Sequence, residues 1–185
     1  MIAGITTLEL LRKIILGYIP IDDERVNIYN QKFKIPEDEG LFVTIEHNHS
    51  QVFASRSNFS LPTTAYKETI DLSVLEDISI DIMSRNLEAL QKKELFVMAL
   101  NSYYSQQVQE ANGFKVLRIA PINNLSALEG AAQLYRYEIP VKLFAWYQNI
   151  TAADYFNAFS FQVTANGDPE LQTEIITQPL TQPIF

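Results

Sequence analysis

Residues 70–83 read Ile-Asp-Leu-Ser-Val-Leu-Glu-Asp-Ile-Ser-Ile-Asp-Ile-Met, and this stretch decides the fold. Ile70, Leu72 and Val74 fall on one side of an extended chain, and Ile78, Ile80 and Ile82 continue that side. Asp71, Ser73, Asp77, Ser79 and Asp81 fall on the other side or at a kink, which marks a face turned to solvent or to an interface. A period of two is the signature of a strand with one buried face, because successive strand side chains point to opposite sides of the sheet. The period then changes to that of a helix, from roughly Asn86 to Glu110, ended by Asn112-Gly113. Its apolar residues form two arcs: Leu87, Leu90, Val97, Met98 and Val108 in one, Ala89, Phe96, Leu100 and Tyr103 in the other. A surface helix of a monomer shows a single apolar stripe. Two arcs predict a helix covered by the sheet on one side and by something else, such as a neighbouring subunit, on the other.

Upstream, Thr6-Thr7-Leu8-Glu9 reads as a helix start, with Thr6 as cap and Glu9 completing a capping box. Leu8, Leu11, Ile15 and Tyr18 recur at helical spacing, and Gly17 and Pro20 are expected to end the helix. Val26 to Tyr29 is a short strand candidate, and Pro36-Glu37-Asp38-Glu39-Gly40 an acidic turn. Leu41, Val43 and Ile45 alternate with Phe42, Thr44 and Glu46. The polar run His47-Asn48-His49-Ser50 precedes Val52-Phe53-Ala54, which predicts two strands meeting in a hairpin at 47–51, followed by a loop from Ser57 to Pro62.

Downstream of the helix, Phe114 to Ile119 is a strand candidate, Asn123 to Gly130 a loop or short helical turn, and Leu134 to Tyr147 a strong strand. Pro140 lacks an N–H for the ladder, so that strand is expected at an edge or bulged there. A last strand covers Phe159 to Thr164. The predicted class is α/β (α+β): a mixed, mostly antiparallel sheet with an N-terminal helix and one long central helix packed on it. Residues 1–165 read as a single domain. Residues 166–185 read as an extended arm, since Pro179 and Pro183 disfavour a helix while Ile175, Ile176, Leu180, Ile184 and Phe185 are too many bulky apolar residues for a solvated tail.

Composition narrows the function. The chain has 185 residues with a formal net charge of −8 and scattered basic residues, which disfavours direct DNA binding. No cysteine is present, so disulfides, thiolate metal sites and cysteine nucleophiles are excluded. The apolar N-terminus carries Glu9, Arg12 and Lys13 in its middle, unlike a signal peptide, and no run is long and apolar enough to span a membrane. His47 and His49 would share a strand face and are a weak metal pair; polar decoration of a hairpin tip is the simpler reading. The acidic runs Asp22-Asp23-Glu24 and Glu37-Asp38-Glu39 lack the ligand spacing of a calcium loop. There is no phosphate-binding glycine loop and no Gly-x-Ser-x-Gly elbow. These readings point away from an enzyme and predict no cofactor, no metal site and no membrane partner.

Ser84-Arg85-Asn86-Leu87-Glu88-Ala89, then Met98 to Gln107 (MALNSYYSQQ), then Ser126 to Ala132 (SALEGAA) with Tyr135-Arg136-Tyr137, form the most distinctive series in the chain. This series, within about residues 75–150, resembles the neck or tail terminator proteins of long-tailed bacteriophages. The N-terminal half agrees with that family in order of elements only, and the C-terminal tail does not match it. The resemblance implies a small α/β sandwich with helices on one face of a sheet. It implies a homo-hexameric ring in the virion, assembled in the host cytoplasm and seated on the last ring of tail-tube subunits. Such a ring stops tube polymerisation, offers the docking surface for the head–tail connector protein, and in contractile tails touches the sheath protein. DNA passes through the lumen without specific binding, which suits an acidic chain. A head-completion or connector adaptor bound to the portal is the alternative, and an unrelated homo-oligomeric binding module a more distant one. Interface candidates are Tyr103, Tyr104, Gly130, Ala131, Ala132, Ile175, Ile176, Leu180, Ile184 and Phe185. Gly130 has two readings, relief of sterics at a turn or close backbone approach at a subunit contact beside Ala131-Ala132.

Overall fold

The computed structural model describes residues 6–29, 38–60, 67–129, 132–152, 158–162 and 175–179. Two compact units partition the chain: residues 1–57 with 70–149, and residues 58–69 with 150–185.

The larger unit begins with helix α1, Thr7–Tyr18. Thr6 and Glu9 form the capping box, with the Thr6 N–H donating to Glu9 Oε2 at 2.8 Å and the Glu9 N–H donating to Thr6 Oγ1 at 3.3 Å. The buried stripe is Thr7, Leu10, Leu11, Ile14 and Ile15. It is rotated from the expected one, since Tyr18 is exposed and Leu8 only partly covered. The four aliphatic members are at most 2% exposed, so their transfer from water contributes roughly 6–12 kcal/mol, several times the ~1 kcal/mol of a cap. Packing holds this helix; the cap sets where it starts. Gly17 does not end it. Gly17 lies inside the last turn, and a methyl there would overlap the ring of Tyr104.

A single 3-10 turn, Asp23–Arg25, leads to strand β1, Val26–Ile28, which runs parallel to β2, Phe42–Ser60, with Val26 opposite Val43 and Ile28 opposite Ile45. Arg12 fastens this crossover to α1 by donating to the carbonyls of Val26 (2.7 Å) and Asp23 (2.8 Å). The expected hairpin at 47–51 is absent, for β2 continues unbroken through His47-Asn48-His49-Ser50. No glycine stands there to take the positive φ of a tight hairpin turn. The polar run instead marks where β2 leaves the core, since every residue from His47 to Ser60 is exposed.

Strand β3, Lys67–Ser84, follows the predicted alternation. Val74, Ile78, Ile80 and Ile82 are at most 5% exposed. Helix α2, Glu88–Asn101, starts under two side-chain caps, as Ser84 Oγ accepts from Ala89 N–H and Asn86 Oδ1 from Glu88 N–H. The single long helix expected over 86–110 is two helices. At Ser102 the backbone turns extended (φ −69°, ψ 159°), and its hydroxyl accepts from Ser105 N–H at 3.1 Å to start α3, Tyr103–Asn112. A serine that offers the backbone a side-chain partner favours a cap over a helix interior. Gly113 ends α3 in the left-handed conformation, φ 65°.

Strand β4, Phe114–Ile119, pairs antiparallel with β7, Ala132–Ala152. The segment read as a loop or helical turn holds two short strands, β5 (Asn123–Asn124) and β6 (Ala127–Glu129), and both pair with β7. The sheet order is β1-β2-β3-β7-β4, so β7 is an interior strand and not an edge. Pro140 is tolerated because it sits just beyond the end of β4, where its carbonyl accepts from Ala120 N–H and its missing donor breaks no β4 pair. The bulge lies in the partner, between Val116 and Arg118 of β4. The sheet is thus mixed and mostly antiparallel, and α1, α2 and α3 share one core with the face that carries Ile80, Ile82, Ile139, Val141 and Leu143. Among the described residues no helix is long and apolar enough to cross a membrane.

In the smaller unit, β8 (Ala158–Gln162) and β9 (Ile175–Pro179) form a separate antiparallel sheet, with Ala158 opposite Pro179 and Gln162 opposite Ile175. The segment expected as an extended arm therefore contains a strand paired within the chain.

Candidate assembly surface

Strand alternation divides the chemistry of β3 and β7 between two faces. The helix-side face carries a buried carboxylate. Glu76, 4% exposed, takes a core position between Val74 and Ile78. Its carboxylate accepts from the Thr7 hydroxyl in the first turn of α1 and from the Tyr147 hydroxyl at 2.5 Å. A buried carboxylate is costly unless it is hydrogen-bonded, and these two donors come from different elements, so the group ties α1 to β3 and β7. Burial first, and the adjoining Glu76 second, push the Tyr147 phenol well above its ordinary value.

Among the described residues the opposite face bears no helix, and it is laced by side chains. Asp81 receives a two-pronged contact from Arg136 (2.8 and 3.2 Å). Ser79 donates to Glu138 (2.9 Å) and accepts from Asn48 (2.6 Å). Lys142 pairs with Asp77 at 3.2 Å, the Trp146 indole donates to Ser73 at 3.0 Å, and Gln148 donates to Asp71 at 2.7 Å. As the β3 numbers fall the β7 numbers rise, the order of an antiparallel pair. Asp77 is part-exposed as anticipated, but Ser79 and Asp81 are buried, each 4% exposed, beneath their cross-strand partners. The Asp81 carboxylate, foremost, holds the Arg136 guanidinium above its usual range.

Beside this ladder stand three aromatic rings. Phe144 meets Trp146 edge-on at 5.4 Å and Phe53 edge-on at 6.5 Å. Phe53 is 71% exposed and Trp146 56%. Rings in such edge-to-face pairs hold each other in place, and exposed, pre-positioned aromatics are the residues that anchor protein interfaces.

The helix side offers a second apolar surface. The arc with Ala89, Phe96 and Leu100 is buried in the core. Of the other arc, Leu87, Leu90 and Met98 are exposed, and Leu95 adds to them. The break at Ser102 separates the arcs further: Val108 on α3 is buried, while Tyr103, the first residue of α3, is 74% exposed.

The anticipated interface residues are therefore dispersed. Tyr103 is open to solvent, whereas Tyr104 packs against the core beside Gly17. Ala132 opens β7 opposite Glu129, and Ile175 and Ile176 lie in β9. Gly130, Ala131, Leu180, Ile184 and Phe185 lie outside the described residues. Phe53, Phe144 and Trp146 were not singled out as a group, because only the pairing of strands distant in sequence brings them together. Of the histidine pair, His47 Nε2 contacts the Ser50 hydroxyl at 2.7 Å. Among the described residues no three acids or histidines converge on a point. No family model matches the chain, and no curated protein matches it.

Proposed function

We propose that this chain is a structural subunit of a long-tailed bacteriophage, that it forms a six-membered ring at the neck or top of the tail, and that it is not an enzyme. On this reading the ring ends tail-tube polymerisation, meets the sheath where the tail is contractile, and presents the surface on which the head connector docks. The series ending in SALEGAA and Tyr135-Arg136-Tyr137 motivates the family. The observation that carries the assembly role is the sheet face opposite α1, α2 and α3, where exposed Phe53 and Trp146 flank a ladder of cross-strand polar pairs. A ring subunit needs surfaces of this kind on more than one side, and the exposed arc of α2 supplies another. The acidic balance of the chain suits a lumen past which DNA slides, since like charges repel.

Removing the gene from a phage that carries it tests the reading. A terminator knockout yields tails of uncontrolled length in electron micrographs. Tails of normal length beside heads that leak DNA identify a connector adaptor instead, and normal, infectious particles refute both.

A further inference from the structure

The outer edge of the sheet gives the most specific surface. Strand β4 is last in the sheet order, and among the described residues no strand pairs with its outer side, where the Val116 N–H donates to Gln109 Oε1 of α3 at 2.9 Å. Its bulge leaves Leu117 without a partner in the β7 register, and the side chain is 49% exposed. A groove runs between this edge and α2, lined chiefly by Val97, Met98, Leu117, Ile119, Pro121 and Ile122. Met98 is 54% exposed. An open edge with apolar pockets beside it is the site type that takes an extended segment as an added strand, the backbone supplying hydrogen bonds and alternate side chains filling the pockets.

Charge narrows the occupant. Lys115 and Arg118 project exposed from β4, and among the described residues neither takes part in an ion pair. Glu94, the acid in this lining, is held by Lys93 at 2.6 Å. A complementary segment is acidic and apolar, extended and free of basic residues. Residues 168–185 (DPELQTEIITQPLTQPIF) have this composition: Asp168, Glu170 and Glu174 precede Ile175, Ile176, Leu180, Ile184 and Phe185, with no lysine or arginine. Part of this segment is already extended, as β9, but in a sheet of only two strands, a size that is marginal alone. That sheet is distinct from the one ending in β4.

We propose that the groove between α2 and β4 of one subunit receives the C-terminal segment, residues 168–185, of a second copy of this chain, which adds to β4 as a new edge strand. The proposal rests on the reading of the chain as an oligomeric subunit, and it names the contact that joins neighbours.

A fluorescent peptide of residues 168–185 titrated with the full-length protein tests it, read by anisotropy, with self-association read in parallel by sedimentation. The parent binds the peptide. Met98→Glu with Leu117→Glu, both at exposed positions that leave folding intact, weakens binding by at least about tenfold, the scale of losing a buried anchor. Reversing the edge with Lys115→Glu and Arg118→Glu also weakens it, and a peptide carrying Asp168→Lys, Glu170→Lys and Glu174→Lys regains affinity for that reversed protein only. Equal binding by parent and groove variant overturns the proposal, as does absence of binding to the parent. Docking of the tail on its own subunit gives a different pattern, which also overturns it: groove variants melt earlier with no change in mass, and Ile184→Glu with Phe185→Glu in the full chain increases peptide uptake. All of these measurements use purified protein. Failure here leaves the tail-length experiment to decide the phage reading, and failure there leaves this contact standing.

Discussion

Tyr147→Phe removes one oxygen from the larger unit and tests the buried junction at Glu76. The phenol donates to the Glu76 carboxylate at 2.5 Å, and Thr7 provides the other donor. Glu76 is 4% exposed, so water does not replace a lost donor. A hydrogen bond to a charged group is worth about 1.5–3 kcal/mol, and the ring itself is retained, so the substitution should cost that amount. For a protein of this size it lowers Tm by roughly 3–12 °C, at about 2–4 °C per kcal/mol. The pH dependence has a definite sign. The folded-state pKa of Tyr147 is raised above its ordinary value of 10.0. Its contribution is thus complete below pH ~10 and lost as pH rises toward the folded-state pKa, at up to about 1.4 kcal/mol per pH unit. Urea unfolding followed by circular dichroism, at neutral pH and through pH 9–11, reads both effects. The parent should lose more stability than the Phe variant across the alkaline range, so that the two curves converge. Tyr103→Phe serves as control, since Tyr103 is 74% exposed and the change should stay within about 0.5 kcal/mol. A Tyr147→Phe variant as stable as that control, or parallel alkaline curves, would refute the account of Glu76 as a junction dependent on both hydroxyls.

Three further outcomes follow from the packing. Gly17→Ala should destabilise by about 1–3 kcal/mol through overlap with the Tyr104 ring, and the cost should shrink when Tyr104→Ala is combined with it in a thermal-melt double-mutant cycle. Ser102→Ala removes the cap between α2 and α3 and should cost about 1 kcal/mol in urea unfolding, with increased amide exchange confined to the first turn of α3. Arg136→Ala leaves the Asp81 carboxylate buried without its cation; because Arg136 is 42% exposed on its side chain, the expected loss is about 1–2 kcal/mol, below that of a fully buried pair, and Asp81→Asn should recover part of it in the double variant.

Local physics made much of this fold legible before any coordinates. The alternation in 70–82 placed β3, the Thr6–Glu9 spacing placed the start of α1, and Asn112-Gly113 placed the end of α3, because each depends on residues a few positions apart. Where partners lie far apart in sequence, the reading failed or was silent. His47 to Ser50 resembles a turn in isolation, yet it continues β2, whose register is set by strands on either side. Pro140 signals an edge in isolation, yet β7 is interior because β4 stops one residue short of it. Ser102 is a local case of another kind, since its cap to Ser105, three residues on, competes with helix continuation and wins.

The composition and the two apolar arcs were enough to predict surfaces meant to be covered, since an apolar stripe needs a partner whatever the fold. They did not show which surfaces. Glu76 and Asp81 lie five positions apart on one strand, yet one is buried among the core residues and the other beneath Arg136 on the opposite face. Phe53, Phe144 and Trp146 become neighbours only when the strands that carry them enter one sheet. Periodicity reports which face of an element is apolar; only the pairing of distant elements decides what that face meets, and so where this protein has surface left to offer a partner.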